Sequence, residues 1–202
     1  MEHPQVFTRI YESSEWGHPV SLHFKGSSGD GSSVEYNRDY IAFLKAFIRQ
    51  QEIKSVVDAG CGDWRCGQDI YYKTDVKYTG YDIYKDMIDS HNKTYQPLSR
   101  FWTFEVKNCL TDTLSMATAD LLIIKDVLQH WSDPEVRKFL DDMVALKKYK
   151  YILVINCADD SRSMLMEAGG WRTLSHSHPL LGDYGLIEIF KYNTKSVLLM
   201  KP

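Results

Sequence analysis

Several features that would place the chain in other protein classes are absent from its sequence. No apolar run approaches the roughly 18–20 residues that a membrane span needs, and the opening Met1–Gln5 lacks the basic-then-apolar order of a signal peptide. The formal charge of −3 leaves no basic excess for nucleic acid. The four cysteines, at positions 61, 66, 109 and 157, form no C-x₂-C zinc pattern. We therefore expect a cytoplasmic protein with reduced thiols, without a membrane span or a nucleic-acid partner.

What is present suits one globular domain with a modest appendage. The chain has 202 residues, of which 44% are hydrophobic and 25% charged. Residues 1–33 are polar, contain scattered aromatic side chains and end in the Gly/Ser-rich stretch 26–33. Because a long opening without regular structure is uncommon unless it is a lid or a linker, we predict an N-terminal lid (residues 1–33) and a main domain (34–202). From the lid, we expect Trp16 and Ser32 to reach the substrate.

Hydrophobic periodicity predicts alternating strands and helices through the main domain. Ser32–Glu35 has the capping-box pattern and predicts the start of a helix that continues to about residue 51. Strands are predicted at 54–58, 77–82, 101–106, 120–124 and 151–156, with helices at about 64–72 and 84–95. A further helix starts at Ser132, and its predicted core stripe is Val136, Phe139, Leu140, Met143 and Val144. The segments 186–192 and 196–200 predict an antiparallel hairpin. This order indicates an α/β fold, a mostly parallel sheet with helices on both faces.

The turn after the first strand carries the strongest functional signal. Its sequence, Asp58-Ala59-Gly60-Cys61-Gly62, allows a ligand to approach the backbone and leads to a helix N-terminus with free N–H groups. A dinucleotide-binding turn would have a third glycine where this chain has Arg65, and the charge of Asp63 would oppose a pyrophosphate. The carboxylate of Asp58 suits an ammonium group. The turn therefore favours S-adenosylmethionine, which has a charged amino-acid end and no phosphate, over NAD.

A second acidic residue, Asp82, ends the next strand. An acid at about this distance from a glycine-rich turn can bind both ribose hydroxyls of a nucleoside. The alternative is a solvated strand-end carboxylate without a ligand.

Three segments resemble motifs of the class I S-adenosylmethionine-dependent methyltransferases. They are Val57–Gly62, Tyr81-Asp82-Ile83 and Asp120–Trp131, and the resemblance spans roughly residues 53–156 together with the terminal hairpin. It implies a seven-stranded doubly wound sheet of order 3-2-1-4-5-7-6. It also implies that Gly60 and Gly62 line the methionine end of the cofactor.

The same resemblance implies roles for further residues. Asp82 would hold the ribose, and Asn108 and Cys109 would border the adenine, although the family usually has an acid where this chain has Asn108. The complete set expected to contact the cofactor is Asp58, Gly60, Cys61, Gly62, Trp64, Asp82, Ile83, Asn108, Cys109 and Lys125.

A narrower similarity involves the opening segment. Tyr11, Glu15-Trp16-Gly17 and Ser28–Ser32, combined with Cys61–Trp64 and Asp126–His130, resemble small methyltransferase domains associated with glycosyltransferases in bacteria and large DNA viruses. This similarity implies methylation of a sugar or glycan hydroxyl, with a glycosyltransferase as a possible associate. The alternatives are a small metabolite or peptide acceptor, and an inactive module that only binds the cofactor.

His130 and Asp126 are the candidate catalytic residues. Transfer to a hydroxyl requires removal of a proton, and His130 follows Asp126 by four residues, so the two share a face if the segment is helical. Asp126 would then orient the imidazole of a general base with a pKa near the ordinary histidine value of about 6.5. The alternative is that His130 only packs in front of the Ser132 helix.

The loop after the fifth strand is expected to shape the acceptor site. It contains Asp159-Asp160, Arg172, His176 and His178, of which Arg172 is the expected substrate contact. The two acids and two histidines could bind a divalent metal, but solvated loop charges are commoner, so no metal is predicted. The segment Lys125–Leu128 lacks the Asn/Asp-Pro-Pro-aromatic motif that methylation of base nitrogens would favour.

Overall fold

A computed structural model describes residues 3–158 and 169–202; the predicted loop acids Asp159 and Asp160 lie outside these ranges. One sheet contains seven strands: β1 Ser55–Ala59, β2 Lys77–Asp82, β3 Trp102–Val106, β4 Ala119–Lys125, β5 Tyr149–Cys157, β6 Ile187–Tyr192 and β7 Lys195–Met200. The helices are α1 His3–Glu12, α2 Arg38–Gln50, α3 Gly67–Tyr71, α4 Lys85–Thr94, α5 Asp133–Leu146 and α6 Pro179–Gly182. Within the described ranges, no helix is both long enough and apolar enough to cross a membrane.

The predicted strand order is confirmed as β3-β2-β1-β4-β5-β7-β6. β1 to β5 pair in parallel, whereas β7 is antiparallel to both β5 and β6. The predicted hairpin turn, Asn193-Thr194, links β6 to β7, and Asn193 has a positive φ of 47°. Parallel order brings the carboxyl ends of β1, β2 and β4 to one edge of the sheet, where ligands bind in this architecture.

The central strands are buried on both faces because helices cover both sides. In β4, Leu122 and Ile124 belong to one apolar cluster, whereas Leu121 and Ile123 belong to the cluster on the opposite face. Such near-continuous apolar runs are typical of parallel strands in α/β proteins. An apolar cluster on each face of the sheet therefore packs against the central strands.

Helix α5 begins as the sequence predicts. Ser132 is its N-cap, and the Ser132 backbone N–H donates to Glu135 Oε2 at 2.8 Å, as part of a capping box. Four residues of the predicted core stripe are buried, but Val144 is 40% exposed, so its assignment to the stripe is wrong.

Three helix assignments differ from the prediction. Residues 3–12 form α1, which inserts Val6 and Ile10 into the core although no regular element was predicted there. α2 starts at Arg38, and Ser32 instead ends a short 3₁₀ turn that begins at Asp30. α3 starts at Gly67 and not near residue 64.

Candidate active site

A cavity of about 530 Å³ lies at the carboxyl edge of the sheet. This volume suits a small-molecule ligand. The loops after β1, β2, β3 and β4 line it, together with residues of the N-terminal segment 1–33. All the predicted cofactor and catalytic residues line this cavity, but the predicted acceptor residue Arg172 does not.

The glycine-rich turn has a backbone that only glycine adopts readily. Gly60 and Gly62 have φ values of 82° and 55°. A Cβ atom on Gly60 would lie 2.3 Å from Val127 Cγ2. The backbone N–H groups of Gly60 and Cys61 both donate to the Tyr81 carbonyl, at 2.8 and 2.9 Å, which fixes the turn to β2. The turn therefore presents a rigid, open backbone to the cavity.

Asp58 lies at the start of this turn, with its carboxylate partly buried. The Tyr78 hydroxyl donates to Asp58 Oδ2 at 2.8 Å. Burial raises the pKa of Asp58 to about 6, although the Tyr78 hydrogen bond and the charge of Lys125 oppose that rise. A partly buried carboxylate gains from a cationic partner, and the contact to an ammonium group stays a prediction.

Asp82 is almost fully buried at the end of β2. Its Oδ2 accepts the Gly62 N–H at 3.0 Å, and its Oδ1 accepts the Tyr84 N–H at 3.2 Å. Burial raises the pKa of Asp82, whereas these backbone hydrogen bonds lower it. A carboxylate has about four lone-pair sites, so both oxygens keep acceptor capacity toward the cavity. The two N–H groups also fix the orientation of the carboxylate.

Asp63 joins the N-terminal segment to the glycine-rich turn through hydrogen bonds that the sequence did not predict. Its Oδ2 accepts hydrogen bonds from the Ser28 N–H at 2.9 Å and the Ser32 hydroxyl at 3.0 Å. The Ser28 hydroxyl in turn accepts the Asp63 N–H at 2.9 Å, and Arg65 Nε lies 3.2 Å from the Asp63 carboxylate. Ser28 and Asp63 are 35 residues apart, so no local sequence pattern predicts this contact.

Two aromatic side chains of the N-terminal segment also contact the residues around the cavity. Tyr11 stacks on Tyr84 with a centroid distance of 4.9 Å, and its hydroxyl lies 2.8 Å from Ser28 Oγ. Trp16 lies 4.9 Å from the His130 ring, also measured between centroids. Ser32 and Trp16, both predicted to reach the substrate, line the cavity, Ser32 beside Asp63 and Trp16 beside His130.

His130 is buried beside the cavity, at the end of a 3₁₀ turn that spans Leu128–His130. Its Nδ1 lies 2.6 Å from the Gly170 carbonyl. A carbonyl can only accept, so Nδ1 carries the proton and Nε2 is the unprotonated ring nitrogen. Burial lowers the pKa of His130 below its ordinary value, although the Gly170 hydrogen bond opposes this. The predicted pKa near 6.5 is corrected downward.

Gln129 supports this assignment of the His130 tautomer. Its Oε1 accepts the Cys157 N–H at 2.9 Å, which identifies the other end of the amide as the NH₂ group. That NH₂ group lies 3.5 Å from His130 Nε2. Nε2 therefore faces a donor, as an unprotonated ring nitrogen should.

Asp126 does not orient the His130 ring, contrary to the expectation from their spacing. Its Oδ2 contacts Lys125 Nζ at 2.7 Å, and its Oδ1 contacts Lys195 Nζ. Burial alone would raise the pKa of Asp126, but the two ammonium groups lower it to about 2. The Leu128–His130 segment forms a 3₁₀ turn, and Asp126 itself has a positive φ of 59°, so the helical face that would join the two side chains does not form.

The predicted adenine residues Asn108 and Cys109 also line the cavity. Asn108 Oδ1 accepts the Leu110 N–H at 3.1 Å, so its amide NH₂ is the group left for a ligand. Cys109 is buried beside it, and Ile83 packs against the core below. These three residues line the same cavity as Asp82.

The Trp64 side chain packs mainly against other aromatic side chains of the core. It is 4% exposed and packs on Trp102 and Phe104, with centroid distances of 5.0 Å in both cases. A Cβ atom on Gly67 would overlap its ring, at 1.9 Å. The side chain therefore fills the core beneath the turn.

Arg172 does not line the cavity and contacts other protein groups, which corrects its predicted role. The guanidinium pairs with Asp133 and donates to the Trp131 carbonyl at 2.9 Å. A buried cation needs such partners. Its neighbour Trp171 lines the cavity instead.

The two loop histidines have separate contacts. His176 lies 3.4 Å from Glu188, and His178 Nδ1 accepts the Leu180 N–H at 3.2 Å, as the cap of α6. Across residues 3–158 and 169–202, no three His, Cys, Asp or Glu side chains are grouped so as to hold a metal ion.

Comparisons with known proteins agree with this geometry. Residues 56–149 match the family described as a methyltransferase domain. No curated protein sequence matches the chain. Human N-acetylserotonin methyltransferase in complex with SAM has a similar structure, with a TM-score of 0.64 and 18% identity over 100% of this chain and 60% of that one. The chain thus spans about three fifths of that relative's length.

Two bacterial structures are similar as well. Magnesium protoporphyrin IX methyltransferase from Synechocystis PCC 6803 with bound SAM has a TM-score of 0.67 and 14% identity, over 100% of this chain and 97% of that one. An O-methyltransferase family protein from Burkholderia thailandensis has a TM-score of 0.64 and 14% identity, over 83% and 56% of the two chains. At these identities the likeness concerns the fold.

The fold and the family match point in the same direction. The sheet has the strand order of the class I S-adenosylmethionine-dependent methyltransferase fold, and residues 56–149 match the methyltransferase-domain model. The two positive-φ glycines and the two strand-end carboxylates, Asp58 and Asp82, fit the amino-acid and ribose parts of that cofactor.

Proposed function

We propose that the protein methylates a hydroxyl group, most specifically a hydroxyl of a sugar or glycan, with His130 as the general base. The observation that carries this proposal is the His130 ring itself. Its Nδ1 proton is held by the Gly170 carbonyl, its unprotonated Nε2 lies 3.5 Å from the Gln129 amide nitrogen, and the residue lines the cavity. A hydroxyl needs such a base because its proton must leave as the carbon–oxygen bond forms.

The proposed placement of the cofactor follows from the turn and the strand ends. Asp58 would pair with the ammonium of the methionine end, over Gly60 and Gly62. Asp82 would accept both ribose hydroxyls, and the Asn108 amide would border the adenine. Lys125 would lie at the methionine end, where its ammonium already contacts the Gly31 carbonyl at 3.2 Å.

When bound, S-adenosylmethionine supplies an activated methyl group on a sulfonium. The role of the chain is to align the acceptor oxygen with that methyl group and to remove the proton. His130 Nε2 would accept the proton from the acceptor hydroxyl. Because burial lowers its pKa, the ring is in the unprotonated form at neutral pH.

A sugar acceptor is supported by the aromatic surface near His130. Trp16 and Trp171 line the cavity, and Trp16 lies against the His130 ring. Aromatic side chains offer apolar faces combined with polar edges, which suits the C–H face of a pyranose. The narrower resemblance to domains associated with glycosyltransferases supports the same acceptor. A small planar metabolite would also fit an aromatic wall, and it is the second candidate.

We further propose that residues 1–33 act as a lid. Ser28 and Ser32 are held on the glycine-rich turn by Asp63, and Tyr11 and Trp16 cover the cavity. A closed lid would exclude water from the transfer step.

A labelled-methyl assay tests the acceptor class. The protein would be incubated with methyl-labelled S-adenosylmethionine and a panel of glycosides, phenols and amines, and the products analysed by mass spectrometry. We expect label on a glycoside hydroxyl. Transfer to phenols alone would favour the planar-metabolite acceptor, and transfer to amines alone would contradict hydroxyl methylation. His130→Ala serves as the control for transfer without the base.

A further inference from the structure

His91 occupies an unusual position beneath the glycine-rich turn. It lies on α4 and is 1% exposed. Its Nε2 is 2.8 Å from the Gly62 carbonyl, and the carbonyl can only accept, so Nε2 carries the proton. Nδ1 is buried and has no hydrogen-bond partner among the described residues. The histidine therefore makes one directed hydrogen bond, and that bond goes to the turn.

The Gly62 residue is held from two sides. Its carbonyl accepts from His91, while its N–H donates to Asp82 Oδ2 at 3.0 Å. With a φ of 55° and no side chain, Gly62 has no internal preference that would keep these groups in place. Two hydrogen bonds from separate elements, β2 and α4, supply that orientation.

The ring of His91 is itself fixed by aromatic packing. It contacts Tyr95 and Phe104, with centroid distances of 5.4 and 5.1 Å. Phe24, from the N-terminal lid, meets it edge-on at 6.1 Å. Burial lowers the pKa of His91, so the ring stays neutral and keeps the single Nε2 proton.

We propose that His91 is a positioning residue for cofactor binding: its Nε2–H holds the Gly62 carbonyl so that the Gly62 N–H orients the Asp82 carboxylate toward the ribose. His91 acts through Gly62 and Asp82 and does not line the cavity. The inference depends on the proposed placement of the ribose at Asp82. Neither a local sequence motif nor the position of His91 in α4 predicts this role.

The first experiment measures the affinity of S-adenosylhomocysteine by calorimetry for three variants. His91→Phe keeps the aromatic packing but removes the donor, and we expect it to weaken binding about five- to tenfold, the effect of one hydrogen bond. His91→Gln, whose amide can donate to the same carbonyl, should remain within about twofold of the wild type. Ile88→Val, a buried change on the same helix, controls for loss of packing and should bind like the wild type.

The second experiment needs no variant. Nitrogen-15 shifts of the histidine rings in the wild-type protein report which nitrogen carries the proton, and we expect the Nε2–H form at His91. An Nδ1–H form, or His91→Phe binding as tightly as the wild type, would overturn the proposal. Failure of the wild type to bind S-adenosylhomocysteine would instead contradict the proposed cofactor placement, while the ring tautomer would still test the His91–Gly62 bond.

Discussion

Asp82→Asn isolates the proposed ribose contact with a minimal change in shape. The wild-type carboxylate accepts two backbone N–H groups, from Gly62 and Tyr84, through different oxygens. Asparagine has one oxygen and one NH₂ group, so it can satisfy one N–H but must present a donor to the other. The variant also lacks the negative charge that a ribose hydroxyl would meet.

The expected loss in affinity follows from these bonds. A hydrogen bond to a charged group contributes about 1.5–3 kcal/mol, which corresponds to roughly a 10- to 150-fold weaker dissociation constant. The change also turns a donor toward one of the two backbone N–H groups, and an unsatisfied buried N–H costs about 1–3 kcal/mol of stability. The thermal melt must therefore show that the variant is folded before its affinity is interpreted.

The assay is calorimetric titration with S-adenosylhomocysteine, alongside a thermal melt of each protein. Asp86→Asn provides the matched control, since it makes the same chemical change at an exposed position of α4. We expect the control to bind like the wild type. A folded Asp82→Asn protein that also binds like the wild type would refute the ribose assignment.

Three further predictions concern catalysis, pH and the lid. His130→Ala should lower kcat by about 100-fold or more while cofactor affinity stays near wild type. A loss of kcat under tenfold would make His130 a packing residue. The acid limb of the wild-type pH profile should lie below about 6.5 because burial lowers the His130 pKa. Affinity for S-adenosylhomocysteine should fall as the pH decreases through about 6, because Asp58 then gains a proton and loses its attraction for the ammonium group, and a pH-independent affinity would count against that contact. Deletion of residues 1–31 should abolish most activity and also lower the melting temperature, since Val6 and Ile10 belong to the core; normal turnover in the truncated protein would rule out a lid.

The sequence by itself determined the sheet and its cofactor edge, because both depend on local signals. Alternating apolar runs and amphipathic segments specified the strands within one or two residues, and the strand-turn-helix around Gly60 and Gly62 specified a ligand-binding turn. The acid at Asp82 could be located because the spacing of parallel strands places it at the same edge. The α5 capping box was equally readable, since Ser132 and Glu135 are only three residues apart.

The tertiary structure alone decided which partner each polar group has. Asp126 and His130 are four residues apart, yet Asp126 pairs with Lys195 from the terminal hairpin, and His130 bonds to Gly170. Asp63 holds Ser28 from 35 residues away. Such contacts depend on how separate loops pack together at the edge of the sheet, and the hydrophobic periodicity of the sequence does not predict that packing. Helix α1 escaped detection for a related reason: its apolar residues are stabilised by packing on the core, and helical stability in proteins comes mostly from such packing.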